Sequence, residues 1–117
     1  MTYVDGFVAA VKTTDKETYV AHCRKMGGVF KEYGALEVID TWGDDVPEGK
    51  LTSFPMAVKR EEGETVVFGW ITWASKAVRD EAWKKVMKDP RMKPGATPMP
   101  FDGKRMIYGG FELISKA

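Results

Sequence analysis

Apolar and polar residues change their spacing several times along the chain, and each change marks an element. From Tyr3 to Lys12 the segment is rich in Val, Phe and small residues, which predicts a strand. Thr14 and Glu17 have the Thr-x-x-Glu spacing of a capping box, the signature of a helix start. The helix that follows places Tyr19, Cys23, Met26, Phe30 and Tyr33 on one stripe. Lys25, Gly28, Lys31 and Glu32 lie opposite, and Gly34 supplies the stop. Leu36 to Trp42 predicts a second strand, with Leu36, Val38, Asp40 and Trp42 on one face and Glu37, Ile39 and Thr41 on the other. After a loop from Gly43 to Ser53, Met56 to Arg60 and Thr65 to Trp73 predict two strands joined by a hairpin turn at Glu61-Glu62-Gly63-Glu64. Ser75 is placed to cap a second helix running to about Lys88, which the Asp89-Pro90 step ends. Arg105 to Ile114 predicts the last strand, with Gly109-Gly110 as a bulge or a close backbone approach.

This order is that of two β-α-β halves. It predicts an α+β, ferredoxin-like domain spanning the whole chain, with an antiparallel sheet and both helices on one face. The strands add a second expectation. In the first strand Val4, Val8 and Ala10 alternate with Tyr3, Phe7, Ala9 and Val11, so both faces are apolar. The strand at Val66 to Trp73 behaves in the same way. Helices cover only one face, and a bare apolar face of that size is unusual on a monomer. A homodimer paired sheet to sheet, burying on the order of 1,600 Å² or more, removes it from water.

Between Pro90 and Gly103 the chain carries four of its six prolines and no periodicity. Met92, Met99 and Phe101 offer apolar anchors there. An ordered loop is expected, packed either over a pocket mouth or across the dimer seam, with the seam favoured.

Composition narrows the function classes. The chain has 117 residues, with 18 basic and 17 acidic side chains and a net charge of +1. That balance lacks the basic footprint of a nucleic-acid binder. No apolar run is long enough to span a bilayer and no signal segment is evident, so a cytoplasmic location is expected. Cys23 is the only cysteine and His22 the only histidine, which excludes a cysteine-rich metal site; a purely carboxylate site stays open but no spacing marks one, so no metal or cofactor is expected.

Four stretches stand out: Asp40-Thr-Trp-Gly-Asp-Asp-Val-Pro47, Phe54-Pro-Met-Ala-Val-Lys59, Lys85-Val-Met-Lys-Asp-Pro-Arg-Met92 and Met99-Pro-Phe-Asp-Gly-Lys-Arg-Met-Ile-Tyr-Gly-Gly-Phe111. They resemble the YbaA-like proteins, a bacterial family of uncharacterised function in the dimeric α/β-barrel superfamily. The resemblance covers nearly the whole chain. It implies a ferredoxin-like protomer whose sheet packs on its twin's, and a pocket between helices and sheet. It brings no catalytic residues to carry over.

Candidate chemistry therefore rests on individual residues. Asp5, an acid in an apolar strand, is the type of group that burial turns into a general base; an ion pair with Arg79 or Arg105 is the structural alternative. His22, at the edge of the helical stripe, has the range of an acid–base catalyst, or is a boundary residue. Arg79 sits amid Val78, Ala82, Trp83, Val86 and Met87, placed to clamp a carboxylate or enolate oxygen, or to pair with a structural acid. Asp5, His22 and Arg79 are the catalytic candidates, with Tyr19, Trp70 and Tyr108 as ligand-binding walls; Trp42, Trp73 and Tyr3 join the aromatic set, most of it expected to be packing. Cys23 reads as a small core hydrophobe. Two functions remain open. One is a small-molecule binder or cofactor-free enzyme that oxidises or isomerises an aromatic or carbonyl compound. The other is a non-enzymatic ligand-sensing or structural homodimer.

Overall fold

The computed structural model describes residues 2–92 and 99–117. Strand β1 (Tyr3–Lys12) leads through a 3-10 turn at Thr13–Asp15 into helix α1 (Lys16–Glu32), and β2 (Glu37–Trp42) follows. A short helix α2 (Phe54–Ala57) precedes β3 (Glu64–Trp73), α3 (Lys76–Lys88) and, after a 3-10 turn at Pro90–Met92, β4 (Ile107–Glu112). The strands form one antiparallel sheet in the order β2-β3-β1-β4, the ferredoxin-like arrangement. Among the described residues no helix is long and apolar enough to cross a membrane.

Helices α1 and α3 lie on the same face of the sheet. Met26, Val29 and Phe30 of α1 meet Ala82 and Val86 of α3 over Ile71 and Trp73 of β3. A neighbouring cluster on this face joins Tyr19 to Ala9, Val11 and Val67, with Cys23, Trp42 and Phe101 packed against it.

The opposite face stays largely uncovered. The pairing register puts Val4, Ile39, Phe68, Trp70, Ile107 and Phe111 on it together. Phe68 is 41%, Ile107 44% and Phe111 62% exposed. Among the described residues one end is covered, where Val58 packs on Val8, Ala10 and Val66 and Phe54 stands edge-on to Phe68 at 6.1 Å. With dimensions of 38 × 37 × 22 Å, the molecule is a flat slab: one sheet and one helical layer.

The local chemistry departs from expectation in four places. Met56 to Arg60 is not a strand. Ser53 accepts a hydrogen bond from the Met56 amide at 3.1 Å and Pro55 occupies the first turn, so an N-cap and a proline fix a short helix instead. The tight turn at Gly63 therefore leads from this segment into β3 rather than joining two sheet strands. At the start of α1 neither Thr14 nor Asp15 makes a side-chain cap; the 3-10 turn takes up Thr14 before the α-helix begins. Gly109 and Gly110 pair in regular register with Gly6 and Asp5, so the last strand has no bulge and runs only over 107–112. They serve close approach instead: a Cβ on Gly110 would fall on the Tyr3 hydroxyl. Gly69 of β3 does the same for Phe7, whose Cε1 would stand 2.5 Å from an added Cβ. Finally, Val78 and Met87 are 38% and 69% exposed, so the buried stripe of α3 is narrower than its apolar residues suggest.

Candidate functional site

Asp5, in the middle of the sheet, points toward the helical layer, and its carboxylate is saturated by donors. Trp73 Nε1 and Trp83 Nε1 each donate to Oδ2 at 2.9 Å. Arg79 donates Nη2 to Oδ1 at 2.7 Å and shares Nε between both oxygens at 3.1 Å. The guanidinium also stacks on Tyr3, 5.2 Å from the ring centroid, and pairs with Asp80 at 3.0 Å. With side chains 13% and 25% exposed, Asp5 and Arg79 neutralise each other and hold two core indoles in register. Every lone pair of the carboxylate is committed, which leaves no acceptor for a substrate proton.

His22 stands apart from this pair. Its ring lies 6.5 Å from Tyr19 and 6.1 Å from Phe101, and burial with the nearby Lys25 charge lowers its pKa. Its Nδ1 is buried and has no hydrogen-bond partner among the described residues. Phe101 packs against Tyr19 as well, and Met92 joins the core under α1 and α3, so these two anchors of the proline-rich segment lie on the helical side of the sheet. The part of that loop at 93–98 lies outside the described residues.

An open groove runs between α1 and β2. Its first compartment, about 340 Å³, is lined by Tyr19, Val20, Cys23, Arg24, Val38 and Asp40, with Trp42 at its end. A second, about 320 Å³, continues past Gly27 and Val38 to Lys31, Leu36 and Ile39. The sequence builds this place simply. Val20, Arg24, Gly27 and Lys31 recur at helical spacing along one edge of α1, while Val38, Asp40 and Trp42 share the inward face of β2.

The groove's polar groups form a row. Tyr19, Cys23 and Asp40 stand side by side in the lining and perturb one another's charge. Burial raises Tyr19 far above its usual range and pushes Cys23 up to about 11, so the thiol stays protonated and is no nucleophile near neutrality. Asp40 is raised by desolvation, and no cation pairs with it among the described residues. Unlike Asp5, it keeps acceptor capacity facing the groove. Among the described residues no group of three or more His, Cys, Asp or Glu side chains is arranged to hold a metal ion.

The family model for proteins of unknown function DUF1428 matches residues 2–103. The chain belongs to the DUF1428 family. It is 58% identical over 114 residues to the uncharacterized protein YbaA of Escherichia coli (strain K12), covering 97% of both chains, and equally so to YbaA of Shigella flexneri. Among solved structures, a dimeric ferredoxin-like protein from an uncultured marine organism superposes with a TM-score of 0.61 at 12% identity, covering both chains completely. A proposed antibiotic biosynthesis monooxygenase from Bacillus cereus gives 0.57 at 16% identity, covering 99% of this chain and 96% of that one. At these identities the likeness is one of fold.

In this DUF1428 chain the six residues singled out from sequence do not share one cavity. Asp5 and Arg79 meet each other, and Tyr19 and His22 meet near Phe101. Trp70 lies on the uncovered sheet face, 5.5 Å from Phe68, and Tyr108 is 78% exposed on the edge strand β4. Of the proposed walls only Tyr19 lines the groove, together with Trp42 of the wider aromatic set. Asp40 and Arg24 were not singled out. For Asp40 the signal was present: an acid alternating with Leu36, Val38 and Trp42 on an inward strand face. Arg24 gave none, because an arginine beside a helical stripe reads as a solvated residue.

Proposed function

We propose that the protein is a homodimer, joined sheet to sheet, that binds a small aromatic or carbonyl compound in the α1–β2 groove of each protomer. The observation that carries the ligand reading is the groove itself. It is an open, largely apolar cleft with aromatic side chains at one end and, on its wall, the solvent-accessible Asp40 carboxylate, which no cation pairs among the described residues. The dimer reading is supported by the bare face of Val4, Ile39, Phe68, Trp70, Ile107 and Phe111, which a twofold copy would cover with the same residues. The dimeric description of the marine ferredoxin-like neighbour agrees with it. Pairing on that face leaves both grooves open to solvent.

Asp40 decides between the two classes of function. In the enzymatic reading it accepts a proton from an activated C–H or O–H of the ligand and returns it, with isomerisation as the simplest outcome; desolvation raises its pKa, the direction a general base needs. In the sensing reading the ligand is held unchanged. The closed Asp5–Arg79 pair favours sensing, since it removes the other carboxylate and the oxyanion clamp from chemistry.

A thermal-shift screen of small aromatic acids, ketones and phenols tests the site. Hits should stabilise the wild-type protein and lose their effect in Val20→Trp, whose ring fills the first compartment. Hits that stabilise Val20→Trp equally would place the ligand elsewhere. Turnover of a hit that disappears in Asp40→Asn would assign the enzymatic role; binding without turnover would assign sensing.

A further inference from the structure

The arginines of this chain are spent on acids, with one exception. Arg79 pairs with Asp5 at 2.7 Å, Arg105 with Glu64 at 2.8 Å, Arg91 with Asp89 at 2.8 Å and Arg60 with Glu48 at 3.9 Å. Arg24 has no carboxylate within 4.0 Å among the described residues, and it lines the first compartment of the groove. Two further cations stand along the same cleft. Lys16 Nζ lies 5.5 Å from the ring centroid of Trp42, at the end of the first compartment, and Lys31 lines the second. Lys31 is already committed, donating to the Leu36 carbonyl at 2.8 Å. Arg24 is therefore the groove's uncommitted guanidinium, a fork matched to a carboxylate.

The lining between these cations is long and largely apolar, with Asp40 and Thr41 in the first compartment and Glu37 in the second. The two compartments adjoin at Gly27 and Val38, which line both. A Cβ on Gly27 would stand 3.7 Å from Val38 Cγ1, so the missing side chain keeps this waist open. Beyond it lies Leu36.

Resting on the groove as the ligand site, we infer that the ligand is an organic monocarboxylate with an extended apolar body. Its carboxylate sits on Arg24, and the body passes the waist at Gly27 toward Leu36. Asp40 sets the polarity of the arrangement: like charge keeps the carboxylate away from it and leaves it facing a hydroxyl or other donor on the ligand. Gly27 sets the length, because any larger side chain there separates the compartments.

Methyl and amide NMR titrations of the wild-type protein with octanoate, butyrate and octanamide test this. Octanoate should shift Val20, Val38 and Leu36 and bind at least about tenfold more tightly than octanamide, the worth of one charge-assisted hydrogen bond. Butyrate should shift Val20 but not Leu36. Arg24→Gln, at an exposed helix position, should erase the acid's advantage over the amide, and Gly27→Leu should remove the Leu36 shift. Should Gly27→Leu fail to fold, the comparison of butyrate with octanoate on wild type reads the same waist. Equal binding of octanoate and octanamide, unaffected by Arg24→Gln, would overturn the carboxylate assignment while leaving the groove as the site. Shifts confined to the sheet face or to Asp5 and Arg79 would overturn both.

Discussion

At Asp5 a single carboxylate accepts from two indole N–H groups and a guanidinium, so an amide in its place leaves a part-buried arginine without this counter-charge and the three donors with one acceptor oxygen. Asp5→Asn should cost about 3 kcal/mol, the scale for breaking one side of a buried pair, read as a lower urea midpoint with ligand binding in the groove unchanged. A variant of normal stability that lost binding would return Asp5 to the functional site. Glu64 makes a second such tie. Hydrogen bonds from Arg105 at 2.8 Å, to both oxygens, hold its pKa at about 2 instead of the ordinary 4.5. Folding thus favours the ionised form, so this contribution is complete above pH 4.5 and is lost as pH falls toward 2. Arg91 depresses Asp89 in the same direction. Unfolding free energy should therefore drop over that acid range, and Glu64→Gln should flatten the drop; an unchanged slope would mean the pair does not report on folding. Asp5 shows what could be read from residue type alone. An acid in an apolar strand and an arginine in an apolar helical stripe were each identifiable, and so was their pairing as one option. The two indoles that complete the pair were not, because Trp73 and Trp83 come from different elements and meet only in the folded core.

At the scale of elements, α1 combines the sheet's helical cover with one wall of the groove. Its C-terminal end is tied to α3, where the Tyr33 hydroxyl donates to Asp89 at 2.7 Å and Arg91 bridges Asp89 to Glu32. The two glycines within it are not equivalent. Gly27 faces Val38, whereas an added Cβ on Gly28 meets nothing within 4 Å. Gly28→Ala should stabilise the fold by about 1 kcal/mol, the gain in helix propensity, and leave ligand affinity as it is. A loss of stability would show that the outer side of α1 is covered by something else, such as the partner subunit. Strand and helix periods made most elements legible, because each buried face must repeat at 2 or 3.6 residues. Ser75 caps α3 as its position predicts, accepting from the Val78 amide at 3.1 Å. The failures came where two readings compete over a few residues. Met56 to Arg60 has strand-like apolar content, and the Ser53-Phe54-Pro55 step that makes it a helix lies just outside that window. The groove was less legible still. It lies between a helix edge and a strand edge, and no single element's pattern marks the gap between them.

For the whole molecule, the slab shape leaves one sheet face to be explained. Phe68 and Trp70 stand near its middle with Ile39 on one side and Ile107 and Phe111 on the other. Phe68→Lys puts a charge into the proposed seam, so sedimentation at micromolar concentration should change from dimer to monomer, with groove residues unmoved. A wild-type protein that sediments as a stable monomer would remove the dimer from the account. This face was legible early, since strands apolar on both sides cannot both be satisfied by one layer of helices. Ligands that enter between α1 and β2 while the sheets face each other would be seen in a crystal structure determined in the presence of octanoate. Density is expected along Val38 in each protomer of a sheet-to-sheet pair, with the carboxylate on Arg24. Density seated on the Phe68 face, or a lattice in which that face never meets its own copy, would contradict it.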